Sequence, residues 1–143
     1  MAFDQQRAHH AVVPSEMADA VKNLPFSPAH RCGDLLFVSG QVGRDMESGE
    51  VLADPEEQYR QAFENLGLIL RNEGATFSDV VELVTFHVGF ADIRRFVEVQ
   101  KAYITAEPYP AWTAVGVAAL MDPGLVVEIR CTAMPGPPAH SQP

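Results

Sequence analysis

The chain has 143 residues, 47% of them hydrophobic, with 10 basic against 19 acidic side chains and a net charge of −9. That length suits one globular domain with a core of its own, while the acidic balance excludes nucleic acid as a main partner, because a duplex needs clustered basic side chains to displace its counterions. No apolar run approaches the length of a membrane span, and residues 1–10 lack the apolar stretch of a signal peptide, so a cytoplasmic protein is expected.

Residues 1–23 form a polar, alanine-rich segment. Its vicinal His9 and His10 lack further ligands at site-like spacing, so no metal is expected. Leu24-Pro25-Phe26-Ser27-Pro28-Ala29 places an aromatic between two prolines, which predicts a stiff extended segment with Phe26 either over the core edge or at a pocket wall. Gly33-Asp34 reads as a turn between strands at 29–31 and 35–39. Gly40 and Gly43 bracket Gln41-Val42 and suit a bulge or a close backbone approach. Cys32 and Cys131 are too few for a disulfide scaffold and read as buried thiols beside apolar strands.

Asp54-Pro55-Glu56-Glu57 is a strong helix start, with a cap residue, proline at the first helical position and a capping-box glutamate. Tyr59, Ala62, Phe63, Leu66, Ile69 and Leu70 then form one stripe at three-to-four spacing, and Gly74 closes the helix. Residues 80–88 predict a long strand with Val84, Phe86 and Val88 on one face and Val81, Leu83, Thr85 and His87 on the other. Helices can cover one face. The second, assigned here to His87, is expected to be covered by another copy of the chain. A second helix from about residue 92 stops at Glu107-Pro108-Tyr109-Pro110, strands at 112–119 and 125–133 follow, and residues 135–143 read as a flexible tail. Strand, strand, helix, strand, helix, strand, strand is an α+β order, with a mixed sheet packed against two helices.

Two residues stand out from their runs. Trp112 is large among small neighbours, and Glu128 is a carboxylate between Val127 and Ile129, where it needs a partner or a function. An ion pair with Arg130 and a role in activating water are both open. Ser39 lacks the Gly-x-Ser-x-Gly elbow of a serine hydrolase. Phosphate loops and dinucleotide fingerprints are absent, so no cofactor is called for.

Together Pro25-Phe26-Ser27-Pro28-Ala29, Phe37-Val38-Ser39-Gly40-Gln41, Gly49-Glu50, Gln58, Asn65-Leu66, Gly74-Ala75, Pro110-Ala111 and Val127-Glu128-Ile129 resemble the RidA/YjgF/UK114 family of enamine/imine deaminases, formerly labelled endoribonucleases. The resemblance covers a domain at 24–134. It implies a chorismate-mutase-like fold assembled as a homotrimer with pockets between subunits. It further implies an arginine after Pro-Ala that holds a substrate carboxylate, a backbone carbonyl two residues on, at Ala114, and a water-positioning glutamate, at Glu128. The family's pocket tyrosine corresponds to Phe26. Trp112 stands where that arginine is expected, which suggests a divergent member lacking the carboxylate-binding arginine, unless Arg31, Arg44 or Arg130 supplies the charge.

Two functions follow as expectations. The first is a RidA-like hydrolase that releases ammonia from an enamine or imine, with specificity altered by Trp112; Glu128 and Ala114 are its catalytic candidates. Trp112, Phe26, Ser39, Gly40 and Arg130 are its substrate-binding candidates. The second is a non-catalytic homotrimer that binds a small molecule or serves regulation.

Overall fold

Asp54 begins the longest helix as its sequence predicts. Its carboxylate accepts from Glu57 N–H at 3.0 Å, and Pro55 occupies the first turn, where an amide proton is not needed. Glu57 does not return the bond, so only half of the expected box forms. The reciprocal box lies instead at Thr76 and Asp79, just before the strand that begins at Val80.

The structure is a computed structural model and describes residues 9–136. It contains six strands: β1 (His9–Val12), β2 (Ala29–Cys32), β3 (Leu35–Val42), β4 (Val80–His87), β5 (Ala111–Gly116) and β6 (Val127–Ala133). The helices are α1 (Ala18–Val21), α2 (Pro55–Asn72) and α3 (Ile93–Tyr103). One sheet orders the strands β1-β2-β3-β6-β4-β5; β4 and β5 run parallel and the other neighbours antiparallel. A mixed sheet packed against helices is the α+β architecture read from the element order. Among the described residues no helix is long and apolar enough to cross a membrane.

The buried stripe of α2 (Tyr59, Ala62, Phe63, Leu66, Ile69 and Leu70) meets Leu36 and Val38 of β3, Leu83 of β4, and Val127, Ile129 and Cys131 of β6. Phe63 stacks on Tyr103 at 4.9 Å between ring centres, and Phe96 of α3 closes the same cluster. Burying side chains of this size stabilises the fold by about 1.5–3 kcal/mol each before entropy is counted.

Several details differ from the sequence reading. β1 pairs with β2 and puts Val12 into the core, although its sequence, His-His-Ala-Val, shows no apolar alternation. Cys32 is exposed at the end of β2, although it stays paired with His9 and Leu35 in the sheet, whereas Cys131 is buried. β3 continues through Ser39-Gly40-Gln41 with a register shift between Val38 and Gln41. His87 lies on the helix face, 3% exposed, with its ring 4.6 Å from that of Phe96. The bare face is therefore that of Val84 and Phe86. A second register shift, between Val80 and Glu82, turns Val81 out of its expected row. The tail falls outside the described residues from 137 onward, and Pro135 at its start is buried.

Candidate functional site

Strand alternation puts Glu128, Arg130 and Thr132 of β6 on the sheet face that no helix covers. Beside them on β3 lie Phe37, Ser39 and Gly40. Two polar side chains of α2 set this geometry. Gln58 donates to the carbonyls of Leu52 and Gly124 at 2.8 and 2.7 Å and accepts from Val126 N–H at 2.9 Å. Asn65 donates to the carbonyls of Val42 and Arg44. Both are buried, and both satisfy irregular backbone where β3 ends and β6 begins. Gly43 permits the approach, since a β-carbon there would lie 2.5 Å from Gln58 Cγ.

At the bulge, Gly40 faces the carboxylate of Glu128. A β-carbon on Gly40 would overlap Glu128 Oε1 and come within 2.7 Å of its Cδ and 2.8 Å of its Cγ. Glu128 takes no hydrogen bond or ion pair among the described residues, so the pairing with Arg130 does not form. Burial alone raises its pKa above the ordinary carboxylate value. A half-buried, unpartnered carboxylate with space reserved for it is suited to taking and returning a proton.

Next to this pair is a recess of about 570 Å³ lined by Phe26, His30, Phe37, Ser39, Gly40 and Arg130, among others. The Ser39 hydroxyl donates to Ser27 O at 2.6 Å, and Ser39 N–H donates to Pro28 O at 2.9 Å. Those bonds lay the proline-flanked segment across β3 and hold Phe26 at the recess, half exposed. The Ser39 hydroxyl thus clamps backbone.

Of the sequence candidates, Phe26, Ser39, Gly40 and Arg130 line one recess, with Glu128 against Gly40. Trp112 and Ala114 lie elsewhere, on edge strand β5, with all of β4 between them and β6. The indole of Trp112 turns to the helix face. Its Nε1–H donates to Thr85 Oγ1 at 2.9 Å, and that oxygen is 2.7 Å from His87 Nε2. Desolvation lowers the pKa of His87, which favours the neutral ring. Sequence reasoning missed His30. Its alternation in β2 was readable, but nothing in the sequence paired β2 with the recess.

The expectation of a divergent chain lacking a carboxylate-binding arginine is overturned. Arg44 is present just beyond β3, ion-paired with Asp122 and donating to Gly49 O at 2.6 Å. The inference of altered specificity from tryptophan in place of arginine falls with it. Arg31 Nε donates to Gly33 O at 3.1 Å and so braces a turn. Arg130 is exposed and has no ion-pair partner among the described residues.

Residues 17–135 match the family model described as Endoribonuclease L-PSP. The chain is 41% identical to RutC family protein YjgH of Escherichia coli, over 86% of this chain and 92% of that protein. It is 33% identical to a 2-iminobutanoate/2-iminopropanoate deaminase of Homo sapiens, over 79% of this chain and 82% of that one. Among solved structures, Protein YJGH superposes with a TM-score of 0.81 at 37% identity, covering 91% of this chain and 99% of that chain. RidA from the Antarctic bacterium Psychrobacter sp. gives 0.73 at 36% identity, covering 77% and 88%.

Proposed function

Because the chain belongs to the Endoribonuclease L-PSP family, that of the RidA/YjgF/UK114 proteins, we propose that it is an enamine/imine deaminase that hydrolyses a 2-imino acid to ammonia and a 2-oxo acid. The observation that carries the reading is the unpartnered carboxylate of Glu128, desolvated and fitted against Gly40. Several deaminases named for 2-iminobutanoate and 2-iminopropanoate are similar to this chain over more than three quarters of its length, which supports the same chemistry here.

Glu128 takes a proton from water as the water oxygen adds to C2 of the imine, and returns it to the imine nitrogen. The product is a carbinolamine. Glu128 then moves the hydroxyl proton to the same nitrogen, the C–N bond breaks, ammonia leaves and the C2 carbonyl forms. General acid–base help of this kind is worth about 10²–10⁴ in rate. Arg130, the arginine without an ion-pair partner beside the recess, holds the substrate carboxylate through its planar fork of donors.

The Ala114 carbonyl is the second water-positioning group. Within one copy Ala114 and Glu128 are two strand spacings apart, about 10 Å, so a pocket containing both needs a second copy. The part-exposed Val84 and Phe86 on the face that no helix covers, together with the free edge of β5, favour such an assembly, here a chorismate-mutase-like homotrimer.

The test is ammonia release from freshly generated 2-imino acids. Acceleration over buffer that disappears in Glu128→Gln supports the assignment. Equal rates with and without the protein, or full activity in Glu128→Gln, overturn it; ligand binding without turnover would instead leave a small-molecule-binding protein.

A further inference from the structure

The recess extends well beyond its Gly40 end, where Glu128 lies alongside. A three- or four-carbon imino acid fills a small part of its 570 Å³, a volume in the range of about 300–1,000 Å³ that takes considerably larger ligands. Its lining is also unusual for this chain. Acidic side chains outnumber basic ones 19 to 10 overall, yet the residues lining the recess include Arg130 and His30, and the carboxylate against it is the catalytic candidate Glu128, next to Gly40.

The strand register places the two basic residues at separate points. Arg130 lies two residues from Glu128 on β6. His30 lies on β2, opposite Phe37 of β3, which in turn is opposite Thr132 of β6. From Gly40 to Phe37 is about 10 Å along the strand, and His30 is one further strand spacing of about 4.8 Å to the side. Phe37, half exposed, forms the floor between the two ends, and Phe26 is the second aromatic of the lining.

His30 is held in place. His9 Nδ1 lies 2.6 Å from His30 Nε2, with the rings 4.8 Å apart. One facing nitrogen must carry the proton. When His9 donates, His30 carries its own proton on Nδ1 and can donate to a ligand. In that tautomer His9 orients a donor ring that still lines the recess.

Resting on the deaminase reading, we infer that His30, oriented by His9, is a specificity-determining residue that selects dicarboxylic 2-imino acids. The reacting carbon sits by Glu128 and Gly40, the 2-carboxylate is on Arg130, and the side chain runs over Phe37 to place its terminal carboxylate at His30. A hydrogen bond to a charged group is worth about tenfold to a hundredfold in affinity.

The experiment compares imines generated from 2-aminoadipate and from norleucine, two six-carbon amino acids that differ in the terminal carboxylate. Calorimetric binding of the unreactive pair adipate and hexanoate is measured in parallel. The dicarboxylic member is expected to win by about tenfold or more in both readouts. His30→Leu should bring both ratios near one, His30→Gln should retain part of the preference through its N–H, and His9→Ala should weaken it with the fold intact by circular dichroism. Preferential binding of adipate without hydrolysis of any imine would sink the deaminase reading and leave the ligand class standing. Equal binding of the two acids, or a preference that survives in His30→Leu, overturns the inference.

Discussion

Gly40 and Glu128 fit each other as a side chain and the space reserved for it. A single methyl group on Gly40 would overlap Glu128 Oε1, while the backbone at Gly40 has no positive φ that would demand glycine. The requirement for glycine therefore comes from the neighbouring carboxylate. Gly40→Ala should displace the Glu128 side chain and lower deaminase activity by about tenfold or more, with the fold retained. A double-mutant cycle isolates the cause: measured by urea denaturation, Gly40→Ala should cost markedly less in a Glu128→Ala background than in the parent.

Burial raises the Glu128 pKa in the folded protein. A carboxyl with a raised folded pKa binds protons more tightly in the folded state than in the unfolded one. Its ionisation therefore destabilises the fold progressively as pH rises from the unfolded pKa through the folded one. Glu128→Gln should thus raise the melting temperature at pH 7 by about a few degrees while abolishing turnover. The gain should vanish at a pH below both values. Activity of the parent should fall on the acid side with a midpoint above 4.5, the ordinary carboxylate value.

Arg44 and Arg130 should separate cleanly in mutagenesis. Arg44→Met removes a partly exposed ion pair to Asp122 and should cost about 0–1 kcal/mol of stability. Arg130→Met should leave stability nearly unchanged and raise KM about tenfold to a hundredfold. Steady-state kinetics beside thermal melts would show it, and a larger KM effect from Arg44 would reassign the carboxylate anchor.

Thr85 joins the Trp112 indole to the buried ring of His87. Thr85→Val keeps the volume but leaves the buried His87 ring and the partly exposed Trp112 indole without their partner, which should cost about 1–3 kcal/mol. Trp112 is the only tryptophan, so its emission reports the loss directly through a changed spectrum in the folded protein.

The most legible parts of the fold were those with strong local chemistry. Asp54-Pro55 fixed the start of α2, and the branched residues at 80–88 marked β4. Tertiary context decided the rest. Periodicity sorted Thr85 and His87 from Val84 and Phe86 but carried no sign of which set meets the helices, because both faces are apolar. β1 has no local signal and exists because β2 offers it an edge. At the site, Glu128 was visible as a carboxylate in an apolar run, whereas its fit to Gly40 depends on a bulge whose consequence appears only when β3 and β6 are side by side. His30 was invisible for a related reason: a histidine in a short strand gains meaning only from what that strand is laid beside.

The recess carries Arg130 within a strongly acidic chain, and the consequence is kinetic. A chain of net charge −9 repels an anionic metabolite at distances beyond about 10 Å at low salt, while Arg130 attracts it only at close range. Added salt should therefore accelerate substrate capture at first, by collapsing the long-range repulsion, before higher concentrations weaken the contact with Arg130. The rate of association should pass through a maximum with ionic strength, where a basic enzyme acting on the same anion would show a steady decline.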